Sequence, residues 1–231
     1  MNTNTAGKKL RHNERYDIMK AILFDLDGTL IDTEKYYRIY WPKALEHFGY
    51  HMTDDQALSM RSFGAPYGER HLKEMFGPEV DYQKVREYRK RIMEPVLEKN
   101  GIEVKRGAVE LLTYLKKEGV SAAVVTANSP ERTRELVEKC GLLPYFDHFI
   151  SAKEMKRGKP APDVYLHACE QLGLKPEECI AVEDSPNGVK CACSAGCKVV
   201  MIPDQSEPDE ELQKLLYARA DSLDEIITLL E

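Results

Sequence analysis

The run Ala21-Ile-Leu-Phe-Asp-Leu-Asp-Gly-Thr-Leu30 constrains this chain more than any other feature, because four apolar residues deliver two carboxylates into a glycine turn. In an extended chain residues i and i+2 point to one side, so Asp25 and Asp27 can converge just beyond the strand, where Gly28 lets the backbone turn. One carboxylate could attack while the other moves protons. A D-x-D pair also occurs in calcium loops and turn caps. Phe24 and Leu26 are too apolar for a calcium loop, whose ligands alternate with polar residues and end in a distant glutamate.

Further along, 120–125 (VSAAVV), 148–150 (HFI), 179–182 (CIAV) and 197–202 (CKVVMI) are apolar runs of strand length. Between them lie helix-like stretches: 107–118 closed by Gly119, 130–139 opened by Ser129-Pro130 and closed by Gly141, 162–172 closed by Gly173, and 186–195 closed by Gly196. Strands alternating with helices predict a doubly wound α/β fold with a parallel sheet, since parallel neighbours need a crossover. Ligands in such folds sit beyond the carboxyl ends of the strands, which directs attention to Asp25, Thr126 and Asp184.

Residues 34–104 break the alternation with amphipathic, helix-forming sequence almost free of strand signals. They predict a helical insert between core segments 19–33 and 105–231. Both linkers fall near the D-x-D turn, so the insert could close over the site. Trp41-Pro42 in its first helix is expected to mark a kink. Residues 1–18 are polar and without period, and are expected to be a tail outside the fold.

At 231 residues the chain has room for one α/β core and a smaller module. Acidic residues outnumber basic ones, 39 to 33, for a net charge of -6, which disfavours nucleic-acid binding. No apolar stretch approaches the ~20 residues that span a bilayer, and the N-terminus lacks a signal peptide's apolar core, so a soluble, cytoplasmic protein is expected. A monomer is expected too. The six cysteines do not imply a disulfide framework. Cys191-Ala-Cys193-Ser-Ala-Gly-Cys197 lacks the paired C-x2-C knuckles of structural zinc, so these read as reduced core residues.

Three more segments carry chemistry. Thr126-Ala127-Asn128-Ser129-Pro130 puts a hydroxyl and free N–H groups where an anion would be stabilised, although Ser129 alone reads as a helix cap. Lys159 adjoins the stiff Pro160 and Pro162, which can aim its ammonium; a solvated lysine is the plainer alternative. Glu183-Asp184 follows a buried run and would repel Asp25 unless a cation neutralises the cluster. Hard carboxylate oxygens with open positions suit magnesium.

With Asp25-Leu-Asp27-Gly-Thr, Thr126, Lys159 in G-K-P-x-P and Glu183-Asp184 in this order, residues 19 to about 202 resemble the haloacid dehalogenase superfamily of phosphotransferases. The helical insert resembles the cap of the branch containing phosphoglycolate phosphatases and beta-phosphoglucomutases. The resemblance implies that Asp25 forms an aspartyl-phosphate and that Asp27 protonates the leaving oxygen and then activates water. It further implies Mg2+ held by Asp25, the Asp27 carbonyl and Asp184, with Glu183 acting through water. Thr126, Ala127, Asn128 and Lys159 would bind the phosphoryl group.

The substrate implied is a small phosphorylated metabolite of the sugar-phosphate or phosphoglycolate type. Mutases of this branch resemble D-T-x-x-x-H after the first motif, where Asp32-Thr33-Glu34-Lys35-Tyr36-Tyr37 carries tyrosine, which argues for hydrolysis. A phosphosugar mutase is the alternative reading, and a non-catalytic phosphometabolite-binding or regulatory protein a further one. Asp27 argues against dehalogenase chemistry, which lacks the second acid. In the insert Arg61, Arg70, His71 and Lys73 are candidate substrate contacts that sequence cannot separate from solvated helix faces.

Overall fold

A computed structural model describes residues 19–64 and 66–231; the expected polar tail, 1–18, lies outside the described residues. Six strands form one parallel sheet in the order β3-β2-β1-β4-β5-β6. They are β1 (Ala21–Phe24), β2 (Ser121–Thr126), β3 (His148–Ser151), β4 (Cys179–Glu183), β5 (Lys198–Met201) and β6 (Ala218–Arg219). The doubly wound α/β expectation matches this sheet. The sixth strand leaves no trace in the sequence, because two residues are too few to carry a periodic signal.

The alternation of side chains explains why the strands are apolar on both faces. Ile22 and Phe24 of β1 join Val124, Ile180, Val182 and Val200 in one core layer. That layer is covered by α5 (Ala108–Glu118), α6 (Pro130–Lys139) and α10 (Glu225–Leu230). Ala21 and Leu23 point the other way, to Ala123, Val125, Ala181 and Val199, under α7 (Asp163–Leu172) and α8 (Pro186–Ala195). A further short helix, α9 (Glu210–Gln213), buries Leu212 in the same layer. Four of the cysteines are buried and all six are free thiols.

Four helices fill the insert: α1 (Glu34–His47), α2 (Asp54–Ser59), α3 (Tyr67–Phe76) and α4 (Tyr82–Asn100). They enclose a core of their own that includes Trp41, Leu45, Met60, Leu72 and Val85. Helix α2 opens on a capping box between Thr53 and Gln56, and Asp81 caps α4 by accepting from Lys84 N. Helix α1 continues through Pro42. The linkers pair antiparallel at Ile31 and Val104, with Asp32 N donating to Glu103 O and Lys105 N to Leu30 O, both at 2.9 Å.

Candidate active site

Strand order reverses around β1, whose neighbours β2 and β4 come from later and opposite parts of the chain, so a crevice opens beyond its carboxyl end. Asp25 lies there, its N–H still donating to Val182 O at 3.0 Å. Glu183 ends β4 and Asp184 follows it. Lys159, from the loop before α7, is fully buried, and Nζ donates to Asp25 Oδ1 at 2.5 Å and Glu183 Oε1 at 2.6 Å. The sequence reading gave this ammonium to the phosphoryl group. In the structure its closest partners are the two carboxylates, although Lys159 still lines the cavity above.

Gly28 turns the backbone at φ +87°, and a Cβ there would come within 2.5 Å of Asp184 Oδ2. A side chain is therefore excluded twice over, by conformation and by space. The turn leaves Asp27 accepting from Thr33 Oγ1 and from Asn128 Nδ2, each at 2.5 Å. Thr33 spends its hydroxyl on Asp27 and makes no cap bond to α1. Thr126 is buried and accepts from Asn128 N at 3.2 Å and Nδ2 at 3.3 Å. Ala127 lines the cavity beside them, and Ser129 accepts from Arg132 N as the cap of α6.

Burial is the largest influence on Asp25 and pushes its carboxyl well above the ordinary range; Lys159 opposes this and Glu183 adds to it. Burial works against the Lys159 charge as well, but Asp25 and Glu183 outweigh it and hold the ammonium firmly protonated. Asp184 is pushed well up by burial, then by Asp25, Glu34 and Glu183. Asp184 Oδ1 and Oδ2 and Glu183 Oε2 are buried without a hydrogen-bond partner. One ligand oxygen each from Asp25, Glu183 and Asp184 lie within 4.8 Å of one another. Unpartnered hard oxygens at this spacing fit a magnesium ion.

Several participants escaped the sequence reading. Tyr165 of α7 is buried and donates through its hydroxyl to Glu183 Oε1 at 2.7 Å. Gly188 backs the other oxygen, since a Cβ there would meet Glu183 Oε2 at 1.8 Å. Glu34, the first residue of α1, is buried in the cavity wall, and burial followed by the Asp27 charge pushes its carboxyl up while Arg61 pulls it down. In sequence, Tyr165 and Glu34 look like ordinary helix residues.

The insert closes a cavity of about 510 Å³ over this floor. Among its four basic candidates only Arg61 lines it; its NH1 stands 3.7 Å from Asp184 Oδ2 and NH2 donates to Ser206 Oγ at 2.6 Å. Arg70 and Lys73 border a separate surface groove, and His71 pairs with Ser59 Oγ. Trp41, expected only to mark a kink, forms part of the wall with Tyr37 and Tyr82. The closed arrangement is held by Gly64 N donating to Lys159 O at 3.1 Å, Asn187 Nδ2 to Arg61 O at 3.0 Å and Ser185 Oγ to Ser62 Oγ at 2.8 Å. On the opposite side Arg132 grips Glu94 with two bonds of 2.8 and 2.9 Å.

Known proteins resemble this chain in sequence and in fold. The chain is 33% identical over 183 residues to Hexitol phosphatase A of Escherichia coli, covering 79% of this chain and 82% of the relative. It is 32% identical over 184 residues to Phosphorylated carbohydrates phosphatase of Thermotoga maritima, covering 77% and 82%. The fold superposes on beta-phosphoglucomutase of Clostridium difficile with a TM-score of 0.77 and 22% identity, covering 92% of this chain and 96% of that one. The sequence profile of the haloacid dehalogenase-like hydrolases matches residues 22–202, the span that carries every residue of the floor, and the chain belongs to that family.

Proposed function

We propose that the protein is a magnesium-dependent phosphatase that hydrolyses a small phosphorylated metabolite of the sugar-phosphate type through an aspartyl-phosphate on Asp25. The observation that carries this reading is the buried Lys159 bonded to Asp25 beside the unpartnered oxygens of Asp184. The two curated relatives, both phosphatases by name, support it. Asp25, Glu183 and Asp184 would hold the magnesium ion, which supplies positive charge beside the phosphoryl oxygens.

Lys159 holds Asp25 Oδ1 and so fixes the carboxylate with its other oxygen free to attack phosphorus. A bond from Asp25 to phosphorus forms as the bond to the leaving oxygen breaks, and Asp27 gives that oxygen a proton. Asp27 then takes a proton from the water that cleaves the aspartyl-phosphate, releasing phosphate and restoring Asp25. The Thr33 hydroxyl can turn from donor to acceptor, so Asp27 keeps a partner in both states. Thr126 accepts twice from Asn128, which leaves its own proton to donate to a phosphoryl oxygen. With the insert over the floor, Asp25, Lys159 and Asp184 are buried away from bulk water.

Tyr37 supports hydrolysis over transfer to a second sugar hydroxyl. The Tyr37 side chain is half-buried, and desolvation followed by the Asp27 charge raises the pKa of its phenol above the ordinary value, so it does not relay a proton near neutral pH as an imidazole could. The test is phosphate release from a panel of sugar phosphates, phosphoglycolate and nucleotides, with magnesium and with chelator. Asp25→Asn is expected to abolish release while the fold survives, and substantial residual turnover in the purified variant would refute the assignment.

A further inference from the structure

The insert meets the buried acids through one short segment. Arg61 and Ser62 follow α2 and lie against the loop that leads from β4 into α8. Asn187 Nδ2 donates to Arg61 O at 3.0 Å and Ser185 Oγ to Ser62 Oγ at 2.8 Å, while Arg61 NH1 stands 3.7 Å from Asp184 Oδ2. Ser62 takes a φ of +56°, the one left-handed non-glycine residue among the described residues, so its surroundings impose this docking on the local backbone.

A second set of contacts holds the same segment from the core. Beyond β5, Asp204, Gln205 and Ser206 each accept from one cation of the insert or its linker: Lys105 at 2.6 Å, Arg38 at 2.9 Å and Arg61 NH2 at 2.6 Å. Arg61 is thereby carried onto the floor with only 6% of its surface exposed.

The approach to Asp184 is unlike a committed ion pair. Arg132 bonds Glu94 twice, at 2.8 and 2.9 Å. Arg61 stops at 3.7 Å, and among the described residues its Nε and NH1 and both Asp184 carboxylate oxygens have no hydrogen-bond partner. Charge without bonding geometry is what joins them. A divalent ion held by Asp25, Glu183 and Asp184 would draw on the same carboxylate, and it would repel a guanidinium at this range.

We propose that Arg61 is a built-in competitor of the metal: it neutralises Asp184 in the metal-free protein, so that metal binding and the seating of segment 61–62 oppose each other. This rests on the reading of Asp184 as a magnesium ligand. Linkage is reciprocal, so the factor that seating takes from metal affinity is the factor that the metal takes from seating. The insert is held down over a metal-free floor and loosened over a loaded one, which opens the cavity to a ligand once the metal is in place.

The experiment is a calorimetric titration of wild type, Arg61→Gln, Arg61→Lys and Ser206→Ala with magnesium chloride. Arg61→Gln is expected to bind magnesium about tenfold tighter than wild type, and Arg61→Lys, which keeps the charge, to stay within about threefold of it. Ser206→Ala lies outside the insert and frees only NH2; it is expected to tighten binding by about threefold and remains as the test if Arg61→Gln does not fold. Hydrogen exchange gives the reciprocal readout. Magnesium is expected to speed exchange of the Gly64 amide, which donates to Lys159 O, by about threefold or more in wild type, and to have no such effect in Arg61→Gln. Magnesium affinity that neither Arg61→Gln nor Ser206→Ala raises, or a Gly64 amide that magnesium slows or leaves unchanged in wild type, overturns the proposal and leaves the metal on the floor. Titrations without binding in any of the four proteins remove the metal reading and the proposal with it. The expected pattern in a protein that releases no phosphate from any sugar phosphate would sink the phosphatase reading while the competition stands.

Discussion

Lys159 donates through Nζ to Asp25 Oδ1 at 2.5 Å, joining positions 134 residues apart, with the lysine closed to solvent. Its second bond, to Glu183, ties the carboxyl ends of β1 and β4 together. Lys159→Met is expected to destabilise the magnesium-free protein by about 3–5 kcal/mol, because it leaves two buried carboxylates facing each other without a cation. The urea midpoint in chelator reads this directly. An unchanged midpoint would mean that the lysine is not the group that holds the floor together.

Asp184→Asn should act in the opposite sense on the metal-free protein. The carboxylate is buried without a hydrogen-bond partner, and burial with repulsion from Asp25, Glu34 and Glu183 outweighs the attraction of Arg61 at 3.7 Å, so an amide removes a net unfavourable charge and the melting temperature in chelator rises. Magnesium should raise the melting temperature of the wild type through linkage and leave that of the variant nearly unmoved. Equal magnesium shifts in both proteins would place the ion elsewhere.

At Gly64 the insert backbone comes close to the core, since a Cβ there would stand 2.5 Å from Gly158 Cα. Gly64→Ala should therefore prevent full seating of the insert and lower kcat/KM by about tenfold to a hundredfold. The residue belongs to neither core, so the urea midpoint should barely change. Solution scattering of the variant should show a larger radius of gyration than wild type, and identical profiles with full activity would refute the close approach.

The two ion pairs that Glu135 forms, with Lys139 and with Arg132, set an acid-stability limit. Lys139, then Arg132, holds the Glu135 carboxyl at about 2, below its usual 4.5. A carboxyl depressed on folding stabilises fully above its unfolded pKa and loses that contribution as pH falls through the folded one. Because Glu135 is half exposed, the discounted effect is only about 0.5–1 kcal/mol. Glu135→Gln should then be less stable than wild type at neutral pH and equal to it below about pH 2, as read from urea midpoints across that range.

Much of the floor was legible because each residue follows a strand signal. Asp25, Thr126 and Asp184 stand at or just past runs whose side chains fill both faces of the sheet, and the alternation that marks those runs is local. Lys159 was singled out by its prolines, yet its choice of Asp25 and Glu183 as partners was not readable. That choice needs the register of β4 against β1, which pairs Phe24 with Val182. Of the four basic residues weighed in the insert, sequence offered no way to separate Arg61 from Arg70 or Lys73, because all lie in polar, helix-compatible stretches.

By itself, the sequence determined the doubly wound core, the helical insert and the acids at the carboxyl ends of the strands. Each follows from short-range periodicity and from which residue types end an apolar run. Tertiary structure alone decided which cations meet which acids, that Tyr165 and Gly188 frame Glu183, and that Arg61, Arg86 and Arg89 of the insert face the cavity. Those contacts join segments far apart in the chain, and their energies depend on burial and on the groups opposite, which no local pattern records.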